Sequence, residues 1–269
     1  MKLFDAHCHL QDARLSANLP AVLDRAVAAG VMGLQCCGCT ERDWPMVAAM
    51  TRGSQAVPDK IPGKSIKIIP AFGLHPCHLA GRSSDWLRRL EEVVTAQPAG
   101  IGEIGLDRIT PDEDDLTQEK IFVDQLDLAR RLGRPVTVHC RRAWGRLLEI
   151  LRRDGLPSAG LMVHAWSGSL EVLEELLAMG VYISFAGNIT FPHHRRVRRA
   201  LLAMPLDRLL LETDSPDLTP VGAPPGELNE PANLKMTLQA AAELRGAPPM
   251  ELAVALQANI RKFLGELLL

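Results

Sequence analysis

Short runs of apolar residues recur along the chain and alternate with longer stretches in which apolar residues repeat every three or four positions. An apolar run without polar alternation is typical of a strand in a parallel sheet, which is buried on both faces. The runs predict eight strands: Leu3–Cys8, Met32–Cys37, Lys67–Phe72, Ala99–Ile104, Pro135–Cys140, Leu161–His164, Val181–Phe185 and Arg208–Glu212. Eight parallel strands are the number that closes a (β/α)₈ barrel.

The amphipathic stretches between and after these runs predict the helices of the barrel. They are Leu19–Ala29, Ser84–Ala96, Leu116–Leu132, Arg142–Arg153, Ser169–Met179, Arg195–Met204, Pro231–Arg245 and Pro249–Leu264. The alternation of strand and helix is typical of an α/β protein with a parallel sheet. We therefore expect residues 1–269 to form a single (β/α)₈ TIM barrel domain, since such barrels run to about 250 residues as one unit.

The polar residues that close the apolar runs are mostly histidines and acids. They are His7, His9, His75, Glu103, His139, His164 and Asp214. Side chains at the carboxyl ends of barrel strands face the active-site mouth, so these residues are expected to converge there. Each one alone is compatible with a structural role, but together they form a nitrogen and oxygen donor set that suits divalent metal ions.

Two features strengthen the prediction of a metal site, the spacing of His7 and His9 and the surroundings of Glu103. His7 and His9 are two apart on a strand, so both imidazoles can point to one face, and Asp5 on that face is a candidate to orient one of them. Glu103 ends a buried apolar run between glycines, where a carboxylate needs a cation or hydrogen-bond donors.

With these positions in place, the sequence resembles the TatD family of metal-dependent deoxyribonucleases, within the amidohydrolase-like barrel superfamily. The motifs that carry the resemblance are, in order, HCHL, GLHP, GEIGLD, VTVHCRRA, VHAWSGS, YISFAGNITF and LLLETDSPDLTP. They extend through nearly the whole chain and keep the family's order. The resemblance implies a TIM barrel with a two-metal phosphodiesterase site.

The resemblance also implies which residues hold the two cations. One cation would be bound by His7, His9, Glu103 and Asp214, and the other by Glu103, His139 and His164, so that Glu103 bridges both. His75, in the GLHP motif, would lie near the mouth without necessarily binding metal, and it joins Asp214 and Glu103 as a candidate catalytic residue. The identity of the metal is left open among Mg²⁺, Mn²⁺ and Zn²⁺, because mixed histidine and carboxylate sites accept each of them.

Candidate substrate contacts follow three of the strands. Arg141 comes shortly after His139, and Arg195 and Arg196 begin a basic run after the seventh strand. Loops after barrel strands face the active site, so these arginines are candidates to contact phosphate, with a solvated helix face as the alternative. Trp166 is a candidate to stack on a base, with packing under a loop as the alternative.

The resemblance implies that the chain hydrolyses DNA, with Asp214 as the general base. The more specific hypothesis is an exonuclease that begins at the 3′ end. A metal-dependent hydrolase of a C–N or ester bond in a small molecule is the alternative, because the barrel superfamily supports both chemistries. A third hypothesis is a non-catalytic barrel that acts as a subunit of a larger assembly. DNA is the expected partner, as substrate, and a monomer is favoured.

Composition narrows the class of protein. The formal net charge is −2, whereas a dedicated sequence-specific DNA-binding protein is usually strongly basic. The six cysteines show no disulfide-framework spacing, although the cluster of Cys36, Cys37 and Cys39 leaves a soft-metal or redox site open beside simple packing. Without a signal-peptide pattern or a long apolar run, we expect a cytoplasmic protein that is not attached to a membrane.

Overall fold

Eight parallel strands form one sheet in the computed structural model and follow the order of the sequence, each paired with the next. The strands are β1 (Leu3–Cys8), β2 (Val31–Cys37), β3 (Lys67–Phe72), β4 (Gly100–Asp107), β5 (Val136–Arg141), β6 (Leu161–Val163), β7 (Tyr182–Phe185) and β8 (Leu209–Leu211). The structure describes residues 1–53, 66–224, 226 and 228–268. This topology confirms the predicted (β/α)₈ barrel, with strand bounds close to the predicted ones.

Main-chain hydrogen bonds just beyond the strand ends join β8 to β1. The N–H of Asp214 donates to the carbonyl of His7 at 3.0 Å, and the N–H of His9 donates to the carbonyl of Ser215 at 2.8 Å. These bonds close the seam of the barrel at the carboxyl ends of the strands, where the candidate ligands lie.

The helices cover the outside of the sheet. They are α1 (Ala13–Ser16), α2 (Leu19–Ala28), α3 (Trp44–Gly53), α4 (Trp86–Thr95), α5 (Asp115–Leu132), α6 (Trp144–Asp154), α7 (Leu170–Ala178), α8 (Arg195–Ala203), α9 (Leu234–Arg245) and α10 (Pro249–Leu264). Within the described residues, only α1 and α3 lie outside the predicted set. The first is a single turn, too short to produce a periodic pattern.

Local sequence signals set the bounds of several helices. The Asp114 carboxylate accepts the N–H of Thr117 and caps α5, and the Ser169 hydroxyl accepts the N–H of Val172 and caps α7. At the other end of α5, Gly133 has a φ of +60°, a left-handed conformation that glycine adopts without the penalty of a side chain.

Helix α10 closes the end of the barrel at which the strands begin. Its residues Phe263 and Leu264 pack in an apolar cluster with residues of five strands, namely Ala6, Ile69, Met162, Tyr182 and Leu210. The Asn259 amide also donates to the carbonyls of Leu206 and Leu209, at 2.7 and 2.8 Å. With this end filled, the carboxyl ends of the strands are the open face.

Among the described residues, no helix has the length and apolarity needed to span a membrane.

Candidate metal centre

A cavity of about 700 Å³ opens at the carboxyl ends of the strands. The strand-end residues that line it are His9, His75, Glu103, His139, His164 and Asp214. His7 is fully buried immediately beneath them, with Nε2 3.0 Å from Nε2 of His9. The structure therefore brings together all of the residues that the sequence analysis predicted to converge.

Glu103 lies at the centre of this group, and its two carboxylate oxygens face different histidines. Oε2 is 3.4 Å from Nε2 of His7 and 3.3 Å from Nε2 of His9. Oε1 is 2.7 Å from Nε2 of His164, 3.0 Å from Nδ1 of His139 and 3.3 Å from Nε2 of His75. One carboxylate thus separates the histidines into two sets, which is the arrangement that a bridging ligand requires.

Asp214 completes the set on the side of Oε2. Its Oδ1 is 3.5 Å from Nε2 of His7 and 3.6 Å from Nε2 of His9. Its backbone has a φ of +55°, a left-handed conformation that non-glycine residues seldom adopt and that often occurs at functional sites. The bond from its N–H to the His7 carbonyl holds this conformation and aims the carboxylate into the cavity.

The hydrogen bonding of the buried groups fits a bound cation. Glu103 Oε1 and the Nδ1 atoms of His7 and His164 are buried and lack a hydrogen bond of acceptable geometry. Groups of three donor atoms lie within 4.8 Å of one another, and three of the four groups include Glu103. One of these groups contains His75 and His139, so His75 lies within reach of a cation as well as near the mouth. Mixed imidazole and carboxylate donors of this kind suit divalent metals.

Charge within the cluster favours the ionised form of Glu103. Burial alone raises the pKa of this carboxyl group, but the neighbouring imidazoles of His164, His75 and His7 hold the pKa well below its usual range. A carboxylate that stays charged at neutral pH is a better metal ligand than a protonated one.

Asp107 supports the site, although the sequence analysis gave it no role. Its Oδ2 accepts a hydrogen bond from Nε2 of His139 at 2.9 Å, which fixes the ring with Nδ1 facing Glu103. Its Oδ1 accepts the N–H groups of Ile109 and Thr110 at 2.6 and 2.9 Å. Burial raises the pKa of Asp107, but these donors outweigh it and hold the pKa well below its usual value. The available signal was its place in the GEIGLD motif, at the end of the strand that carries Glu103.

Replacing Asp107 with Asn should weaken metal binding through His139. The amide can still accept the imidazole N–H but loses the charge that strengthens this hydrogen bond. We expect metal affinity to fall by about 10-fold, at the lower end of the range for residues that orient a ligand. Calorimetric titration of the metal-free protein with Zn²⁺ measures this, with Asp112→Asn on the same loop as the matched control. Equal affinities in both variants would contradict the orienting role.

Asp5 does not orient an imidazole, contrary to expectation. Its Oδ1 accepts the N–H of Thr213 at 2.8 Å and its Oδ2 accepts the Thr213 hydroxyl at 2.5 Å, while its bond to His7 is to the backbone N–H at 3.4 Å. Burial raises the pKa of Asp5 to about 8. The side chain therefore ties β1 to the segment after β8. Next to Thr213, Glu212 approaches an imidazole instead, with its Oε1 3.4 Å from Nδ1 of His164.

The candidate substrate contacts differ in their position relative to the cavity. Arg141 lines the cavity and is exposed, with Nη1 3.5 Å from Oδ2 of Asp107. Arg195 and Arg196 are exposed on the first turn of α8 and are not among the residues that line the cavity. Their contact with substrate stays a prediction, whereas Arg141 is already placed at the mouth.

Trp166 cannot stack on a base, and this expectation was wrong. The side chain is fully buried, and its ring packs against Trp144 with the ring centroids 4.7 Å apart. A face that is covered by protein cannot receive a nucleobase, so Trp166 packs beneath the mouth and supports the loop after β6.

Comparison with known proteins gives a consistent family. A family model described as TatD related DNase matches residues 4–265. The uncharacterized metal-dependent hydrolase YjjV of Escherichia coli is 33% identical over 261 residues, which cover 96% of each chain. A protein of Erwinia billingiae named 3'-5' ssDNA/RNA exonuclease TatD is 34% identical over 268 residues, covering 97% of this chain and 98% of its own.

Solved structures show the same similarity. The crystal structure of YjjV, a TatD homologue from E. coli, has a TM-score of 0.88 at 33% identity, with 97% of each chain covered. A hydrolase TatD family protein from Entamoeba histolytica has a TM-score of 0.85 at 19% identity, with 98% of each chain covered, which shows the shared fold.

Proposed function

The chain belongs to the TatD-related DNase family, whose members include metal-dependent hydrolases, and from this we propose that it is a two-metal phosphodiesterase that hydrolyses DNA from the 3′ end. The observation that carries the proposal is the position of Glu103, whose two oxygens face separate sets of histidines at the floor of an open cavity. The relative that is named as a 3'-5' exonuclease for single-stranded DNA and RNA supports the choice of substrate.

The residues divide into two ligand sets in this proposal. His7, His9, Glu103 and Asp214 would hold one divalent cation, and Glu103, His139 and His164 would hold the other. Bound cations of this kind polarise a phosphodiester and make a water molecule more acidic. The donor atoms do not distinguish Mg²⁺, Mn²⁺ and Zn²⁺.

The chain's own groups supply the proton transfer and the positioning. Asp214 is the general base: its carboxylate is partly exposed to the cavity and can accept the proton of the attacking water. Arg141 binds a phosphate of the substrate at the mouth. His75, which lines the cavity with Nε2 3.3 Å from Oε1 of Glu103, would donate a hydrogen bond to the departing oxygen.

Turnover of defined oligonucleotides tests this function. Single-stranded and double-stranded DNA and RNA, each labelled at one end, should be cleaved only when a divalent metal is supplied. A phosphorothioate linkage at the 3′ end should block cleavage, whereas the same linkage at the 5′ end should not. Turnover of a panel of cyclic amides or lactones, with no turnover of any phosphodiester, would instead favour the small-molecule alternative.

Replacing Arg141 with Gln should raise KM for oligonucleotides by about 10-fold, because a charged hydrogen bond to phosphate is lost at a partly solvated site. The dependence of log affinity on log salt should flatten by about 0.7 for single-stranded DNA, as one fewer counterion is released. Steady-state kinetics and binding at two salt concentrations measure both effects.

The matched comparison is the double variant Arg195→Ala/Arg196→Ala, which removes two cations from α8. If this variant raises KM while Arg141→Gln leaves it unchanged, the assignment of the phosphate contact to Arg141 is wrong. Metal content should stay at the wild-type level in both variants, which separates substrate binding from damage to the metal site.

A further inference from the structure

Cys39 lies in the same cavity as the histidine and carboxylate ligands. It follows the end of β2, and its Sγ is 3.6 Å from Nδ1 of His9 and 4.0 Å from Oε2 of Glu103. Donor atoms of Cys39, His9 and Glu103 lie within 4.8 Å of one another. The thiol is therefore part of a group of possible ligands and not an isolated cysteine.

The loop that carries Cys39 is held in place by Asp43. The Asp43 carboxylate accepts the N–H of Cys39 at 3.0 Å and the N–H of Thr40 at 3.2 Å. Because the backbone on both sides of the Cys39 α-carbon is fixed, the side chain stays directed at the cavity. A fixed loop lowers the entropic cost of using this thiol as a ligand.

The other cysteines of β1 and β2 are placed differently. Cys8, Cys36 and Cys37 are buried and do not line the cavity. The thiol of Cys8 donates to the carbonyl of Gln35, and that of Cys36 donates to the side chain of Gln11. Such contacts are typical of cysteines that pack in the protein interior and do not bind a ligand.

The hydrogen bonding of His9 leaves its Nε2 free to bind a cation beside Oε2 of Glu103. Its Nδ1 lies 2.9 Å from the carbonyl of Cys37, so Nδ1 must carry the proton and donate. Nε2 then presents a lone pair toward Oε2 of Glu103, the oxygen that also faces Cys39. Ligands at zinc bond lengths of about 2.3 Å for sulfur and 2.1 Å for oxygen lie roughly 3.1–3.8 Å apart at the ligand–metal–ligand angles of about 90–120° found in five-coordinate sites. The separation of 4.0 Å between Sγ and Oε2 is slightly above that range, so a small movement of the side chain brings both atoms to one cation.

A second observation concerns the carboxylate that would share this cation. Glu103 is almost completely buried, and its Oε2, the oxygen nearest Cys39, faces Nε2 of His7 and of His9 at 3.4 and 3.3 Å. Buried carboxylates are paired with a positive charge or coordinate a metal, so this side of Glu103 favours a cation.

We propose that Cys39 is an additional ligand, as a thiolate, for the cation held by His9 and Glu103, and that it biases the site toward Zn²⁺ or Co²⁺ over Mg²⁺. Coordination replaces the S–H bond by a metal–sulfur bond and releases the proton to solvent. Thiolate is a soft donor that Mg²⁺ avoids, which gives the selectivity. The inference rests on the metal site of the proposed function but not on the identity of the substrate.

The absorption spectrum of the Co²⁺-loaded protein tests this ligand directly. A thiolate bound to Co²⁺ gives a charge-transfer band in the near ultraviolet, which we expect in the wild type and in Cys77→Ser, the control at a second partly exposed cysteine. The band should be absent in Cys39→Ser. The Zn²⁺ dissociation constant, from competition with a chelating dye, should rise by at least 10-fold in Cys39→Ser, while the Mg²⁺ requirement changes by less than about 3-fold.

A Co²⁺-loaded wild type without the band would overturn the proposal, as would a band that persists in Cys39→Ser. If Cys39→Ser and Cys39→Ala both fail to fold, alkylation of the native protein replaces them. Zn²⁺ should protect Cys39 from iodoacetamide while Cys77 continues to react, and equal reactivity of Cys39 with and without Zn²⁺ would refute the ligand role. A band together with no phosphodiester turnover would reject the proposed function and leave this inference standing.

Discussion

Asp214→Asn is expected to lower kcat by about 10²–10⁴-fold while KM changes by less than 3-fold. The amide keeps the size of the side chain but cannot accept the proton of the attacking water, and loss of a general base has costs in this range. Asn is also suited to the backbone, because Asn and Asp tolerate the left-handed conformation found here at a φ of +55°. The loss should therefore reflect chemistry and not local unfolding.

Asp217→Asn is the matched control for this variant. Asp217 also lines the cavity, but its carboxylate pairs with Arg14 at 3.0 Å and has no histidine contact in the metal cluster. Its kcat should stay within a few-fold of wild type. An Asp214→Asn enzyme with nearly wild-type kcat and full metal content would remove Asp214 from the role of base.

Glu103→Gln should lower both the metal content and the rate, in contrast to Asp214→Asn. A single carboxylate faces both histidine sets, and an amide can neither carry the negative charge nor use two equivalent oxygens. We expect at least one cation to be lost on dialysis and kcat to fall by at least 10³-fold, because catalysis and metal binding fail together. Elemental analysis of the dialysed protein beside single-turnover kinetics measures the two effects.

Glu113→Gln provides the control, since Glu113 pairs with Arg82 at 2.7 Å and does not line the cavity. It should retain its metal and its activity. Full occupancy of both cations in Glu103→Gln, with wild-type turnover, would show that the two histidine sets act independently and that no bridge is needed.

The barrel and the cluster could be predicted because both follow from short-range patterns. Parallel strands buried on both faces appear as plain apolar runs, and a histidine or acid at the end of such a run must lie at the mouth. His139 and His164 were placed by this rule alone, from different strands. Glu103 could be placed because a carboxylate between glycines in a buried run needs a cation or hydrogen-bond partners.

The contacts that support the site could not be predicted because they depend on side-chain direction. Asp107 reaches His139 across neighbouring strands, and one sequence does not indicate which of several acids makes that bond. Trp166 follows a ligand and still turns into the core, where Trp144 covers it. Position after a strand indicates that a residue is near the mouth, but not that it is exposed there.

The seam between β1 and β8 has a consequence for when the protein can acquire its metal. Asp5 and Thr213, which bond across this seam, are 208 residues apart in the chain. During synthesis the first histidines therefore leave the ribosome long before Asp214 exists, and a cation that arrives early meets only part of its ligands. The full set of proposed ligands comes together only when the barrel closes. A cation that binds only the closed form then stabilises it, by about 4 kcal/mol at a concentration a thousand times its dissociation constant. Metal binding would thus be coupled to the closing of the seam between β1 and β8.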